Sequence, residues 1–213
     1  MKRYDTYIFD LDGTLLDTIA DLAVSTNAAL AQFGMPQWPL SAIQGFVGNG
    51  VRKLMERAVP NGSGNPLFEE CYAAFREYYA AHSLDKTQPY DGIMETLAEL
   101  HRRGCRMAVV SNKMHSEVEH LCRHFFGAYI PVAIGNMEGL RTKPAPDTAE
   151  EALRQLGASK ENAVYVGDSE VDIQTAANAD LPCISVAWGF KTRQFLVEHG
   201  ARTIIDKPSE LVS

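Results

Sequence analysis

Asp10 and Asp12, separated by one leucine, end an apolar run of strand type, Tyr7-Ile8-Phe9, and lead at once into Gly13 and Thr14. Aspartate is a poor strand former, and two neighbouring anions repel unless a cation or a proton lies between them. The pair therefore implies a countercharge. Other polar clusters follow apolar runs in the same manner: Ser111-Asn112 after Ala108-Val109-Val110, and Gly167-Asp168-Ser169-Glu170-Val171-Asp172 after Val164-Tyr165-Val166. Lys143-Pro144-Ala145-Pro146-Asp147 lies between strands, just ahead of a helix through Ala149, Leu153 and Leu156. In open parallel sheets such segments converge at the carboxyl ends of the strands, beside helix N-termini that favour anions. Taken singly, Asp12 also reads as a turn residue, Asp168 as an N-cap, and Ser111-Asn112 as a cap of the next helix.

The elements that must position these residues follow from the apolar pattern. Short runs at Tyr7–Phe9, Met107–Val110, Tyr129–Ile134, Ala163–Val166, Cys183–Val186 and Thr203–Ile205 alternate with helical stretches. Parallel strands cannot be joined by tight hairpins, so this alternation predicts a layered α/β fold with a Rossmann-like parallel sheet flanked by helices. Residues 18–86 break the rhythm. They show helical patterns only: Leu22, Leu30 and Phe33; Val51, Leu54, Met55 and Ala58; Phe68, Tyr72, Phe75 and Tyr79. This predicts an inserted α-helical domain over residues 17–87, with residues 1–16 and 88–213 forming the α/β core. Asn61-Gly62-Ser63-Gly64-Asn65-Pro66 reads as a turn between two of its helices, and Asp91 as the N-cap of a helix through Met94, Leu97 and Leu100.

Bulk properties exclude several classes. The formal net charge of −7 over 213 residues offers no sequence-wide basic field for nucleic acid or an anionic membrane. No run of about 18 apolar residues occurs, and Met1-Lys2-Arg3 leads into a strand without an apolar signal region. Cys71, Cys105, Cys122 and Cys183 form no C-x-x-C pair and read as reduced thiols, so the expected compartment is the cytoplasm. His120 and His124 share a helical face with Glu117, a spacing that suits a transition metal. Val118, Leu121, Cys122 and Phe125 already define the buried face, however, which leaves the histidines on a solvated one.

Four elements in order, D-x-D-G-T at Asp10 to Thr14, Ser111 after a strand, Lys143, and G-D-x-x-x-D at Gly167 to Asp172, resemble the signature of the haloacid dehalogenase-like phosphohydrolases. The resemblance spans nearly the whole chain, and the helical insertion is similar to that family's small α-helical cap. It implies a hydrolase that passes a phosphoryl group to Asp10 while Asp12 protonates the leaving oxygen and then activates water. Thr14, Ser111, Asn112 and Lys143 would bind phosphate. Asp10, Asp168 and the backbone carbonyl of Asp12 would hold Mg²⁺, with Asp172 orienting Lys143 or a metal-bound water. On this reading the magnesium is the countercharge of Asp10 and Asp168, and Asp12 carries a proton instead. Asp180 stands where the family usually has glycine after the last motif's helix.

Within the family, Asp17 to Leu22 (DTIADL) and Gly45 to Ala58 (GFVGNGVRKLMERA) resemble phosphoglycolate phosphatases. Gly48, Asn49 and Gly50 would offer amides to a small carboxylate, and Arg52 or Lys53 would add positive charge. Leu22 replaces the histidine of the similar β-phosphoglucomutases, and Asp12 argues against a dehalogenase. The expected partner is a small phosphate ester, 2-phosphoglycolate foremost, handled by a monomer or weak homodimer. Sugar phosphates, pyrophosphate, and a phosphate-binding regulator without catalysis are the alternatives.

Overall fold

The computed structural model describes residues 4–213. Met1, Lys2 and Arg3, on which the expectation about the chain start rests, lie outside the described residues. The first half runs β1 (Thr6–Phe9), β2 (Leu16–Asp17), α1 (Ile19–Gln32), α2 (Leu40–Phe46), α3 (Val51–Ala58), α4 (Phe68–His82) and β3 (Gln88–Pro89). There follow α5 (Ile93–Arg102), β4 (Arg106–Met114), α6 (His115–Phe126), β5 (Val132–Asn136), α7 (Asp147–Leu156), β6 (Ala163–Gly167), α8 (Glu170–Asn178), β7 (Cys183–Val186), α9 (Arg193–Glu198) and β8 (Ile204–Ile205). The chain divides into two compact units: the residues up to Leu16 with Pro89–Ser213, and Asp17–Gln88.

The larger unit is built on a six-stranded sheet of order β5-β4-β1-β6-β7-β8 in which every pairing is parallel. Its central strands are apolar along their length because both faces are covered, as parallel sheets require. Ile8, Ala108, Val110, Ile134 and Tyr165 pack against Ala149, Leu153 and Ala176 of the flanking helices. Phe9 lies opposite Val109 on one side and Val166 on the other, so β1, β4 and β6 end at one level. After β1 the chain builds outward through β4 and β5, then returns to add β6, β7 and β8 on the other side. The carboxyl end of β1 is therefore the switch point where α/β sheets bind ligands.

Three local expectations are corrected. The N-cap of α5 is Gly92, at φ 84°, rather than Asp91, and its buried face is Ile93, Thr96, Leu97 and Leu100, leaving Met94 exposed. Ser111 and Asn112 do not cap α6. They belong to β4, which continues past an irregularity to Met114, and α6 starts only at His115. On α6 the buried aromatic is Phe126, with Phe125 half-buried. Asp180 does take the left-handed conformation, φ 57°, beyond α8, while Leu181 N donates to Ala176 O at 2.8 Å to close the helix.

In the smaller unit Leu22, Leu30, Leu54, Met55, Phe68, Cys71, Phe75 and Tyr79 are buried, whereas Tyr72 is half-buried. Asp21, 2% exposed, accepts bonds from Lys86 N at 2.9 Å, Thr87 N at 2.8 Å and Thr87 Oγ1 at 2.9 Å. A buried carboxylate with three donors is well satisfied, and it fastens the segment before β3 to the start of α1. Strands β2 and β3, which carry the two crossings of the chain, pair as a two-stranded sheet. Among the described residues no helix is long and apolar enough to cross a membrane.

Candidate active site

Four residues from three separate segments of the sequence meet at the carboxyl ends of β1 and β6. Lys143 Nζ lies 2.8 Å from Asp10 Oδ1 and 2.8 Å from Asp172 Oδ1. Ligand atoms of Asp10, Asp168 and Asp172 all fall within 4.8 Å of one another, and all three residues are buried. The backbone fixes each member. Leu11 N donates to Asp10 Oδ1 at 2.7 Å, and Phe190 N donates to Asp168 Oδ2 at 2.6 Å. Asp172 Oδ2 accepts from Ser169 Oγ at 2.6 Å and Ser169 N at 3.1 Å, closing a capping box with Ser169 as the N-cap of α8. Tyr165 OH donates to Asp172 Oδ1 at 3.3 Å.

Burial pushes the Asp10 carboxyl up to about 7, and the Asp172 charge adds to the shift while Lys143 opposes it. Burial likewise pushes Asp168 well above the usual carboxylate range, reinforced by Asp172 and Asp10. Burial works against the Lys143 charge, but Asp10 and Asp172 outweigh it and hold the ammonium charged well above its ordinary range. One lysine thus faces three carboxylates, an imbalance that a divalent cation relieves. The donors are all hard oxygens, as Mg²⁺ prefers. Both Asp172 oxygens are engaged by protein groups, whereas Asp10 and Asp168 each keep one oxygen outside the bonds described.

Asp12 is not in this carboxylate group. Lys113 Nζ, with its side chain 2% exposed, lies 3.2 Å from Asp12 Oδ1. Thr14 is fully buried; its Oγ1 has no hydrogen-bond partner, while its carbonyl accepts from Trp188 Nε1 at 3.0 Å. Ser111 Oγ accepts from Lys113 N at 3.2 Å. Asn112 Nδ2 donates to Lys143 O at 3.0 Å and Asn178 Nδ2 to Pro144 O at 2.8 Å, so these amides hold the segment that carries Lys143. The Oδ1 of Asn112 is buried without a partner.

Lys113, Tyr165 and the Trp188–Phe190 segment escaped the sequence reading. The segment follows β7 just as the acidic motif follows β6, and position after a strand end was the signal that could have found it. Gly189 is required there, because a Cβ would collide with Asp168 Cβ and the Gly13 carbonyl. Gly13, at φ 84°, is needed twice over: for its backbone, and because a Cβ would strike the Asp168 carboxylate.

The expected specificity residues lie in the smaller unit. Gly48 and Gly50 have φ of 127° and 83°, and Gly50 is the N-cap of α3. Arg52 does not supply a spare charge: both its terminal nitrogens bond Glu69, and its guanidinium lies 5.1 Å from the Phe68 ring and 5.3 Å from Tyr72. Lys53 pairs with Glu56. Arg57, missed in the sequence, donates to Phe46 O at 2.6 Å and Asn49 Oδ1 at 2.8 Å and so shapes the loop. The histidines of α6 join no metal-binding group among the described residues.

The family model for haloacid dehalogenase-like hydrolases matches residues 7–186, and with them every element of the buried cluster. The chain belongs to that family. It is 32% identical over 212 residues to phosphoglycolate phosphatase 1 of Pseudomonas aeruginosa, a match covering 96% of this chain and 77% of the relative. It is also 32% identical to the phosphoglycolate phosphatase of Neisseria meningitidis, over 94% of this chain and 88% of that one. Among solved structures, a Lactobacillus delbrueckii protein provisionally assigned as a phosphoglycolate phosphatase superposes with TM-score 0.94 at 36% identity, covering 99% of this chain and 97% of the other. CbbY from Rhodobacter sphaeroides, solved in complex with phosphate, superposes with TM-score 0.80 at 29% identity, covering 98% and 96%. As a haloacid dehalogenase-like hydrolase of this kind, the protein is a phosphoric monoester hydrolase.

Proposed function

We propose that the protein is a Mg²⁺-dependent phosphatase that hydrolyses a small acidic phosphomonoester, 2-phosphoglycolate foremost, through an aspartyl-phosphate on Asp10. The observation that carries this reading is the buried lysine shared between Asp10 and Asp172 beside Asp168, at 2.8 Å from each of the first two. Such a lysine neutralises an incoming phosphoryl oxygen and fixes the carboxylate that attacks phosphorus.

Asp10, Asp168 and the Asp12 carbonyl would hold Mg²⁺, which when bound neutralises charge on the phosphoryl group. An Asp10 carboxylate oxygen attacks phosphorus as the bond to the ester oxygen breaks. Asp12 delivers a proton to that departing oxygen, then takes one from the water that cleaves the acyl phosphate. The partnerless Thr14 hydroxyl, the Ser111 hydroxyl and Lys143 Nζ are the donors for the phosphate oxygens.

Three features support phosphoglycolate as the ester. Relatives of that name match almost the whole chain. Leu22, 1% exposed in the core of the insertion, cannot relay a proton as a mutase histidine would. The loop around Gly48, Asn49 and Gly50 offers amides at the start of α3 for a carboxylate. The four free cysteines accord with a reducing cytoplasm, and a monomer or weak homodimer suffices for such a reaction. Phosphate release is to be measured with and without Mg²⁺ and then in Asp10→Asn. Turnover should need the metal and fall by at least about a thousandfold in the variant. Unchanged turnover in Asp10→Asn refutes the covalent route, and a flat rate profile across a panel of esters rejects phosphoglycolate.

A further inference from the structure

Lys113 is a charged residue beside a motif carboxylate that the mechanism above leaves idle. Its side chain is 2% exposed, and its ammonium lies 3.2 Å from Asp12 Oδ1, against 15% exposure for the Asp12 side chain. An ammonium is not withdrawn from water to this degree unless a fixed anion compensates. The backbone is arranged to deliver it. The β4–β5 pairing shifts register between Val110 and Met114, and Ser111 Oγ accepts the Lys113 amide at 3.2 Å. On the neighbouring strand Gly135 passes so close that a Cβ would lie 2.7 Å from Lys113 O and 2.6 Å from His115 Cα. The register shift, the hydroxyl and the close-passing glycine together constrain the position of the lysine.

We infer that Lys113 is a positioning residue for the leaving-group step: its ammonium holds the Asp12 carboxylate where it exchanges a proton with the ester oxygen. The inference rests on the role given to Asp12 under Proposed function. The proton passes from Asp12 to the departing oxygen as the phosphorus–oxygen bond breaks, and later from water to Asp12, while Lys113 keeps its own protons throughout. Its contribution therefore scales with how much the leaving group needs protonation. Alkoxides need it strongly; 4-nitrophenolate hardly does.

The test compares 2-phosphoglycolate with 4-nitrophenyl phosphate in the Mg²⁺-loaded enzyme, with Asp12→Asn as the reference. Because both esters share the later hydrolysis of the acyl phosphate, the readout is kcat/KM, which reports the steps up to departure of the leaving group: Lys113→Met should lower it by about 30-fold on the alkyl ester and by less than about threefold on the aryl ester. Added to Asp12→Asn, it should cost no more than about twofold further, because two residues acting as one unit are not additive. Equal losses on both esters, or a full loss persisting in the Asp12→Asn background, overturn the inference. If Asp12→Asn itself treats the two esters alike, the role of Asp12 fails and the inference falls with it; if Asp12→Asn discriminates and Lys113→Met does not, only the inference fails. Should Lys113→Met not fold, Lys113→Gln, which still donates one bond, is read by the same two-ester ratio, with equal losses again overturning the inference.

Discussion

The carboxylate cluster at the sheet edge and the glycine loop ahead of α3 use charge in opposite ways. In the cluster Lys143 is buried, is shared by two carboxylates, and is outnumbered, so that charge is left uncompensated until a ligand arrives. Around the loop, Arg52, Lys53 and Arg57 are exposed, and each is already matched to Glu69, Glu56 or the loop's own oxygens. The first arrangement stores electrostatic work for chemistry, since opposite charges interact strongly away from water. The second holds a backbone in shape with pairs that contribute little each. On the proposed function, the reaction type rests on the interior of the larger unit, and the cations around the loop are spent on holding its shape.

The largest break in this contrast is Lys143→Met. It leaves Asp10 and Asp172 buried without their cation, and kcat should fall by about a thousandfold or more, with thermal stability reduced as well. Steady-state kinetics alongside thermal melts check both. Next comes Gly189→Ala, whose methyl meets Asp168 and the Gly13 carbonyl; kcat should drop by about a hundredfold while the apparent affinity for Mg²⁺ weakens. Titrating the metal by its stabilising shift in melting temperature separates the two effects.

A pH experiment sharpens the same contrast. Because burial raises Asp10 to about 7, the folded metal-free protein binds more protons than the unfolded chain between roughly pH 4 and 7. Its stability should then decline as pH rises through that window, the opposite of what a carboxylate with a lowered pKa would give. Mg²⁺ should accordingly raise the melting temperature more at pH 7 than at pH 5. A metal-induced shift independent of pH would contradict the buried-charge account. The smallest effect belongs to the loop: Arg52→Gln should change kcat on phosphoglycolate by less than about threefold and melting by a few degrees at most, since an exposed pair is lost. A tenfold rise in KM there would show Arg52 reaching the substrate despite Glu69.

The strands were legible in the sequence because a parallel sheet covered on both faces makes its members continuously apolar, as in Tyr7-Ile8-Phe9 and Ala163-Val164-Tyr165-Val166. So were the polar residues at their ends, since Asp10, Asp168 and Lys143 come from separate segments that only such a sheet gathers. What stayed hidden depends on contacts that no spacing records. α2 buries Ile43 alone and so carries no periodic face. Lys113 looks like an ordinary strand-end lysine until the register shift beside Gly135 and its 3.2 Å approach to Asp12 are seen. Gly92 displaced Asp91 as a cap because the chain there needs a positive φ, which a pattern of polar and apolar letters does not encode.

The pairing of β2 with β3 makes the helical insertion a graft with adjoining stems: the chain leaves the α/β framework beside the point where it comes back. Closing that gap with a short turn would demand little loop entropy and would leave all six strands of the large sheet intact. The two ends of the insertion are thus held side by side by backbone hydrogen bonds, whatever the helices between them do.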